Sequence, residues 1–367
     1  MLNRQEADIL ILVTDQQTGA GGKEIQLVFI GQGPFQQISD TLLYFMGPNA
    51  TDAIEREQMV RALRRGLLPY ILQTPLAERL SYEVEELPAT EPVLPDPWNY
   101  WVFQVGGNAS LDGEAQFSNV EVSGRILASR ITDQDKARIG SRYDYERGIF
   151  LTQGDSAGVT DTVRSLRERF RAEGLYVRTI GPRWSVGMAM AAGSSTFGNT
   201  DLDASIKPAI EYNLYPYDEV QSHRFTILYA IGPEYYNFTD TTVYDQMEQI
   251  LMRHGLVMEF AQTKAWGNIS VGFGAEQFLH DPGLYNIYLN PDIEWQIYKG
   301  VSLDMGGFFS FVKDRINIAK QEATGEEVLL QIRQLDTNFT YFTYFGVNLR
   351  FGSKFNNFVN PRFTAID

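Results

Sequence analysis

Two stretches of the chain read almost alike. Lys207-Pro208-Ala209-Ile210-Glu211-Tyr212-Asn213-Leu214-Tyr215 is echoed by Asn290-Pro291-Asp292-Ile293-Glu294-Trp295-Gln296-Ile297-Tyr298. In each, one set of alternate positions is apolar or aromatic, and the other is polar with a glutamate at its centre. Successive side chains of a strand leave on opposite faces, so each stretch has one greasy and one wet side. Such segments fill the C-terminal three-quarters of the chain, at roughly residues 98–110, 115–130, 137–150, 161–178, 184–196, 202–214, 221–235, 246–262, 266–279, 285–297, 301–318 and 329–351. They predict an all-β transmembrane barrel of about 12 antiparallel strands, with lipid outside and a polar lumen.

The turns support this pattern. Those near Asp133–Asp135, Gly181–Arg183, Pro216–Asp218, Lys264–Ala265 and Lys299–Gly300 are short, whereas Thr152–Thr160, Thr239–Tyr244 and Lys320–Gly325 are longer and more polar. Short periplasmic turns and long outer loops are the asymmetry expected of an outer-membrane barrel. An even strand count brings both ends out on the short-turn side. Trp98, Trp101, Trp184, Trp266 and Trp295, joined by Tyr215 and Tyr298, all fall beside short-turn ends. Indoles favour the headgroup boundary, so these residues predict an interfacial girdle.

The same alternation predicts the residues of the lumen. Glu121, Arg125, Arg138, Arg142, Lys207, Glu211, Arg224, Arg253, Glu259, Asp292, Glu294, Asp304 and Arg350 are expected to point inward. Both signs occur in near balance, which fits a mutually neutralising structural network. It also fits a narrow channel for small solutes, given the small inward residues Ser185, Gly187, Ala189, Ala191 and Gly193.

Composition bounds the alternatives. Mean hydropathy is −0.23, and no run of about 18 apolar residues occurs, so helical membrane spans are excluded. Aromatic residues make up 13% of the chain, a level that suits interfacial girdles. With no cysteine, disulfides and thiolate metal sites are excluded, and a net charge of −15 argues against nucleic acid as a partner. Leu2–Asp8 has neither an apolar h-region nor a cleavage site. The barrel reading therefore predicts that an export signal was removed or lies upstream of Met1.

Residues 1–87 read differently, as a small α/β domain. Asp8–Thr14 and Glu24–Ile30 are predicted strands around the glycine turn Thr18–Lys23, and Thr41–Phe45 is a third. The glycines do not make a phosphate loop, since Lys23 precedes Glu24 and a strand rather than Ser or Thr and a helix. Asp52 with Glu55 predicts a helix N-cap, Val60, Leu63, Leu67 and Ile71 a helical stripe, and Pro69 its end or a kink. Arg56, Arg61, Arg64 and Arg65 are read as a solvated face. Pro88, Pro92, Pro95 and Pro97 make residues 88–97 a semi-rigid linker. The barrel then spans 98–352, with a periplasmic tail at 353–367.

Catalytic signals are absent from the sequence. His223, His254 and His280 show no ligand spacing, and neither a Gly-x-Ser-x-Gly elbow nor a His-Glu-x-x-His motif occurs. Asn199-Thr200-Asp201 with Asp203, and Asp240 with Asp245, are read as solvated loop clusters. No metal or cofactor is expected.

Three resemblances carry further implications. Ala7-Asp8-Ile9-Leu10, the glycine hairpin, Asp40-Thr41-Leu42 and the Arg-rich helix resemble the amino-terminal α/β domain of TolB-type periplasmic proteins, without its usual first strand and helix. Gly346-x-x-Leu349-x-Phe351 resembles the signal by which the barrel-assembly machinery recognises a final strand. The ending Phe351-Gly352-Ser353, Phe355-Asn356-Asn357 and Val359-Asn360-Pro361-Arg362-Phe363 resembles an outer-membrane barrel group of Bacteroidota-like bacteria, as do Asp96-Pro97-Trp98-Asn99 and the Pro-x-Ile-Glu-Tyr strand. That resemblance implies fold and location, not activity.

The expected protein is thus an integral outer-membrane anchor or scaffold with its N-terminal domain and C-terminal tail in the periplasm. Its partners are outer-membrane lipid, the assembly machinery during biogenesis, and a periplasmic protein docked to the small domain. A porin-like passive channel is the alternative within this class; an outer-membrane enzyme and a soluble all-β binding protein are the rivals outside it.

Overall fold

The computed structural model describes residues 7–19, 21–79, 96–153, 160–216, 223–264, 266–298, 301–320 and 338–349. Near the N-terminus, β1 (Ile9–Gln17), β2 (Lys23–Gly31) and β3 (Ser39–Met46) pair antiparallel in chain order. The Thr18 N–H donates to the Gly22 carbonyl at 2.9 Å, and Gly21 takes φ +82°, so the glycine turn closes a hairpin. Alternation in β2 sends Ile25, Leu27 and Phe29 to one face, where they meet Met46 and Tyr70 in a core. Leu27 and Phe29 are wholly buried, a gain of roughly 1.5–3 kcal/mol each over exposure.

The helix α1 (Asp52–Ile71) covers this face, with two departures from the sequence reading. Thr51, not Asp52, is the N-cap, and its side chain makes no capping hydrogen bond. Asp52 and Glu55 instead occupy the first turn, where carboxylates favour the helix dipole. Pro69 lies in the final turn, and the helix ends two residues on, at Ile71. The packed face carries Met59, Ala62, Leu63, Gly66, Leu67 and Tyr70, whereas Val60 is exposed. Gly66 was invisible to a search for apolar periodicity, yet a Cβ there would lie 2.0 Å from the Phe29 ring. Its lack of a side chain is what lets helix and sheet approach. Arg56, Arg61, Arg64 and Arg65 are all exposed.

Twelve further strands form one sheet: β4 (Trp101–Glu114), β5 (Phe117–Ile131), β6 (Asp135–Gln153), β7 (Thr160–Thr179), β8 (Trp184–Ser195), β9 (Thr200–Asn213), β10 (His223–Phe238), β11 (Glu248–Lys264), β12 (Gly267–Phe278), β13 (Asp281–Tyr298), β14 (Val301–Val312) and β15 (Phe339–Leu349). Every neighbour pair is consecutive and antiparallel. Among the described residues β4 and β15 are its two edges and are not hydrogen-bonded to each other. A side chain at Gly19 would collide with Ile131 on β5, with Cβ atoms 2.6 Å apart, so the N-terminal hairpin tip lies against this sheet.

The turn asymmetry differs from expectation at two places. Between β4 and β5, and between β12 and β13, the connection is only two residues, on the end expected to bear long loops. Of the turn expected at Pro216–Asp218, residues 217 and 218 lie outside the described residues. β14 stops at Val312 rather than continuing to residue 318.

Candidate functional site: the polar face of the large sheet

Directly opposed residues share a face, so the register sorts every side chain. Following it from β4 to β15, Glu121, Arg125, Arg138, Arg142, Lys207, Glu211, Arg224, Arg253, Glu259, Asp292, Glu294 and Asp304 all lie on one face. Arg350 lies outside the described residues. The small residues Ser185, Gly187, Ala189, Ala191 and Gly193 share that face on β8.

This face is concave. A cavity of about 740 Å³ is lined by residues of β7 through β15, among them Arg171, Lys207, Glu234, Arg253, Ser310 and Thr340. At its centre the Arg253 guanidinium lies 2.5 Å from Glu276 and 3.8 Å from Glu234, and it also pairs with Asp314. The Arg253 guanidinium carbon stands 5.0 Å from the Phe278 ring centre. Lys207 lies 2.5 Å from Glu234, which also accepts from the Tyr236 hydroxyl. Arg253 and Glu234 are 13% and 8% exposed, so the pairing is desolvated. Breaking such a pairing on one side leaves a stranded charge.

Sequence reasoning found Arg253 and Lys207 but missed Glu234, Glu276 and Asp314. Glu234 and Glu276 obey the same alternation and were readable by it. Asp314 was not, because it lies beyond the strand, where the chain turns inward. From there residues 313–320 run to the far loops. Asn317 donates to the Gly198 carbonyl at 2.7 Å, and Val243 N–H donates to the Ile318 carbonyl at 2.9 Å. Thr242 pairs with Ala319 as an isolated bridge, and Lys320 pairs with Asp245. Asn199 and Asp245, with Asp240 through its backbone, are thus used as anchors, while Asp203 accepts from Arg171 at 2.7 Å. Among the described residues no group of three His, Asp or Glu is placed to hold a metal ion.

The opposite face is apolar and open. Val105, Ile126, Ile139, Ile250 and Phe345 are between 58% and 81% exposed. On β7 its charged positions are Arg164, Glu168 and Arg178, with Phe170, Ala172, Gly174 and Tyr176 between the last two. Nine residues rise about 30 Å along a strand, or about 23 Å once tilted near 40°. That matches the band of about 25 Å that an outer membrane requires. Trp98, Trp101, Trp184, Trp266, Trp295, Tyr215 and Tyr298 all stand at one end of the sheet, the end where β4 begins and β15 finishes. At that end Leu349 lies on the apolar face and Gly346 on the polar one. Phe351 lies outside the described residues.

A polar cluster around His254 on the apolar face was not anticipated. His254 Nδ1 lies 3.2 Å from the Tyr229 hydroxyl, and Nε2 lies 3.4 Å from Gln277 Oε1. Three adjacent strands thereby satisfy one another's polar atoms, as an apolar surrounding demands.

No protein-family model and no curated protein matches the chain. Among solved structures it is similar to the NanC porin, at 9% identity and a TM-score of 0.31, over 68% of this chain and 99% of that one.

Proposed function

We propose that the protein is an integral outer-membrane β-barrel whose charged interior is a narrow passage for small polar solutes. The observation that carries this is the division of one twelve-stranded sheet into two continuous faces. One face is apolar and exposed over a band of membrane height, and the other is polar and lines a cavity of about 740 Å³. In a soluble sandwich the apolar face would be packed; here it is open. In this reading β4 pairs with β15 in the membrane, and the aromatic-rich end lies at the periplasmic boundary, with the three-stranded unit beyond it as a docking domain. The function is non-enzymatic.

A second reading has its own support. The ion pairs around Arg253, and the segment 313–320 that crosses the opening, narrow the interior, which favours an anchor or scaffold that conducts nothing. Two measurements separate these. Extraction that needs detergent supports the membrane reading, and a chain that stays soluble without detergent overturns it. Steady ohmic single-channel steps in a planar bilayer support the passage, and silence supports the scaffold.

A further inference from the structure

We propose that the β5–β7 wall of the interior is a binding site for small solutes carrying carboxylate or phosphate groups. The proposal rests on the interior reading above and names the chemistry of what enters.

Arg125, Arg142 and Arg171 are direct register partners across three adjacent strands. Opposed Cβ atoms are about 5 Å apart, and like charges so placed destabilise a sheet. Two of the three have carboxylates of their own. Arg142 lies 2.8 Å from Asp144, and Arg171 lies 2.7 Å from Asp203 and 3.2 Å from Glu173. Arg125 has no ion-pair partner among the described residues, and neither has Arg138 or Arg169 on the same face. All three are exposed. Arg169, Arg142 and Arg167 line a second cavity of about 430 Å³, together with Glu121, Asp144, Glu146 and Glu168. Over the whole wall Arg125, Arg138, Arg142, Arg167, Arg169 and Arg171 outnumber Glu121, Asp144, Glu146 and Glu173, so it is a set of guanidinium forks with a modest surplus of positive charge. Such forks match the paired oxygens of carboxylates and phosphates.

The facing wall has the opposite sign. Glu294 is opposed to Asp304, with Asp292 on the same face. These carboxylates accept from Asn268, Asn348 and Tyr344, but none has an ion-pair partner among the described residues. β6 and β13 stand seven places apart in a sheet of twelve, so curling into a closed hoop would set the two walls nearly across from each other. An anionic solute is drawn to one side and repelled from the other.

The test uses the full chain in detergent, titrated calorimetrically at low ionic strength with citrate and with inorganic phosphate. At least one probe is expected to bind, more weakly as salt is added. Phosphate alone would assign the site to phosphorylated solutes, and citrate alone to polycarboxylates. Arg125→Gln and Arg169→Gln are each expected to weaken binding by about tenfold, the loss of one charged hydrogen-bonding group. Arg125→Lys should fall between, and Asp292→Asn should leave binding intact or tighten it. Gel mobility in detergent confirms that each variant folds. The site is overturned if the folded parent binds neither probe, or if the Arg125→Gln/Arg169→Gln double variant binds as the parent does. Conductance is not read, so a silent channel would not bear on this result.

Discussion

The Asn199 side-chain amide donates to the Asn317 carbonyl at 3.1 Å, joining residues 118 apart in the sequence. Asn199 belongs to the β8–β9 turn and Asn317 to the chain leaving β14, five places from β9 in the sheet. The bond therefore closes a strap over one mouth of the cavity.

Loosening that strap should expose it. Asn317→Ala removes the 2.7 Å bond to Gly198, worth about 1 kcal/mol. Trypsin is then expected to cut faster at Lys313, Arg315 or Lys320, and unit conductance to rise if the interior conducts. Unchanged cleavage in the variant would show that the strap is held elsewhere.

Arg253→Ala removes the ion-pair partner of Glu276 and Asp314 and leaves Glu234 with Lys207 alone. The expected cost is about 3–5 kcal/mol, seen as an earlier loss of the folded band on heating in detergent. The double variant Arg253→Met/Glu276→Gln should recover part of it. Equal stability of the single variant and the parent would mean that the interior is wetter than its burial implies.

Ile126→Arg tests which medium meets the apolar face. Ile126 is 58% exposed, so in water the change should be near neutral. In a bilayer it should cost about 2–4 kcal/mol near the midplane. Refolding into lipid vesicles, followed by urea titration, reads the difference. A neutral result would remove the membrane.

Gly66→Ala should destabilise the N-terminal unit by about 1–3 kcal/mol, since the new methyl collides with Phe29. Loss of helical circular dichroism on heating reports it. Gly33→Ala has open space around it and would pay only for its positive φ.

Alkali should weaken the same unit. Burial raises the Tyr70 phenol above its ordinary pKa, with a smaller push from Asp40, and Tyr44 is raised by burial and Glu55. A raised folded pKa means that the folded state holds its proton more tightly than the unfolded chain. The stabilisation is complete below about pH 10 and is lost as pH rises through the folded value. Loss of the helical signal should accompany the late part of the tyrosinate absorbance, and Tyr70→Phe should flatten the dependence while losing the bond to the Ile38 carbonyl.

Much of the large sheet was legible because alternation is a local property. Twelve segments, and the face of Lys207, Glu211 and Glu294, follow from period two alone. What was not legible depends on distance. Asp314 reaches Arg253 only after the chain leaves its strand, and the Arg125–Arg142–Arg171 row exists only once registers are set. Gly66 was not legible because a missing side chain leaves no periodic signal.

The unpaired margins of β4 and β15 have a consequence for biogenesis. In hydrocarbon each bare backbone amide or carbonyl costs several kcal/mol, so an unsealed ribbon is not a viable guest there. On the proposed barrel reading the hoop is completed by β15, which follows the other eleven strands in the chain. Insertion would then wait for β15, with both margins sheltered until it pairs with β4.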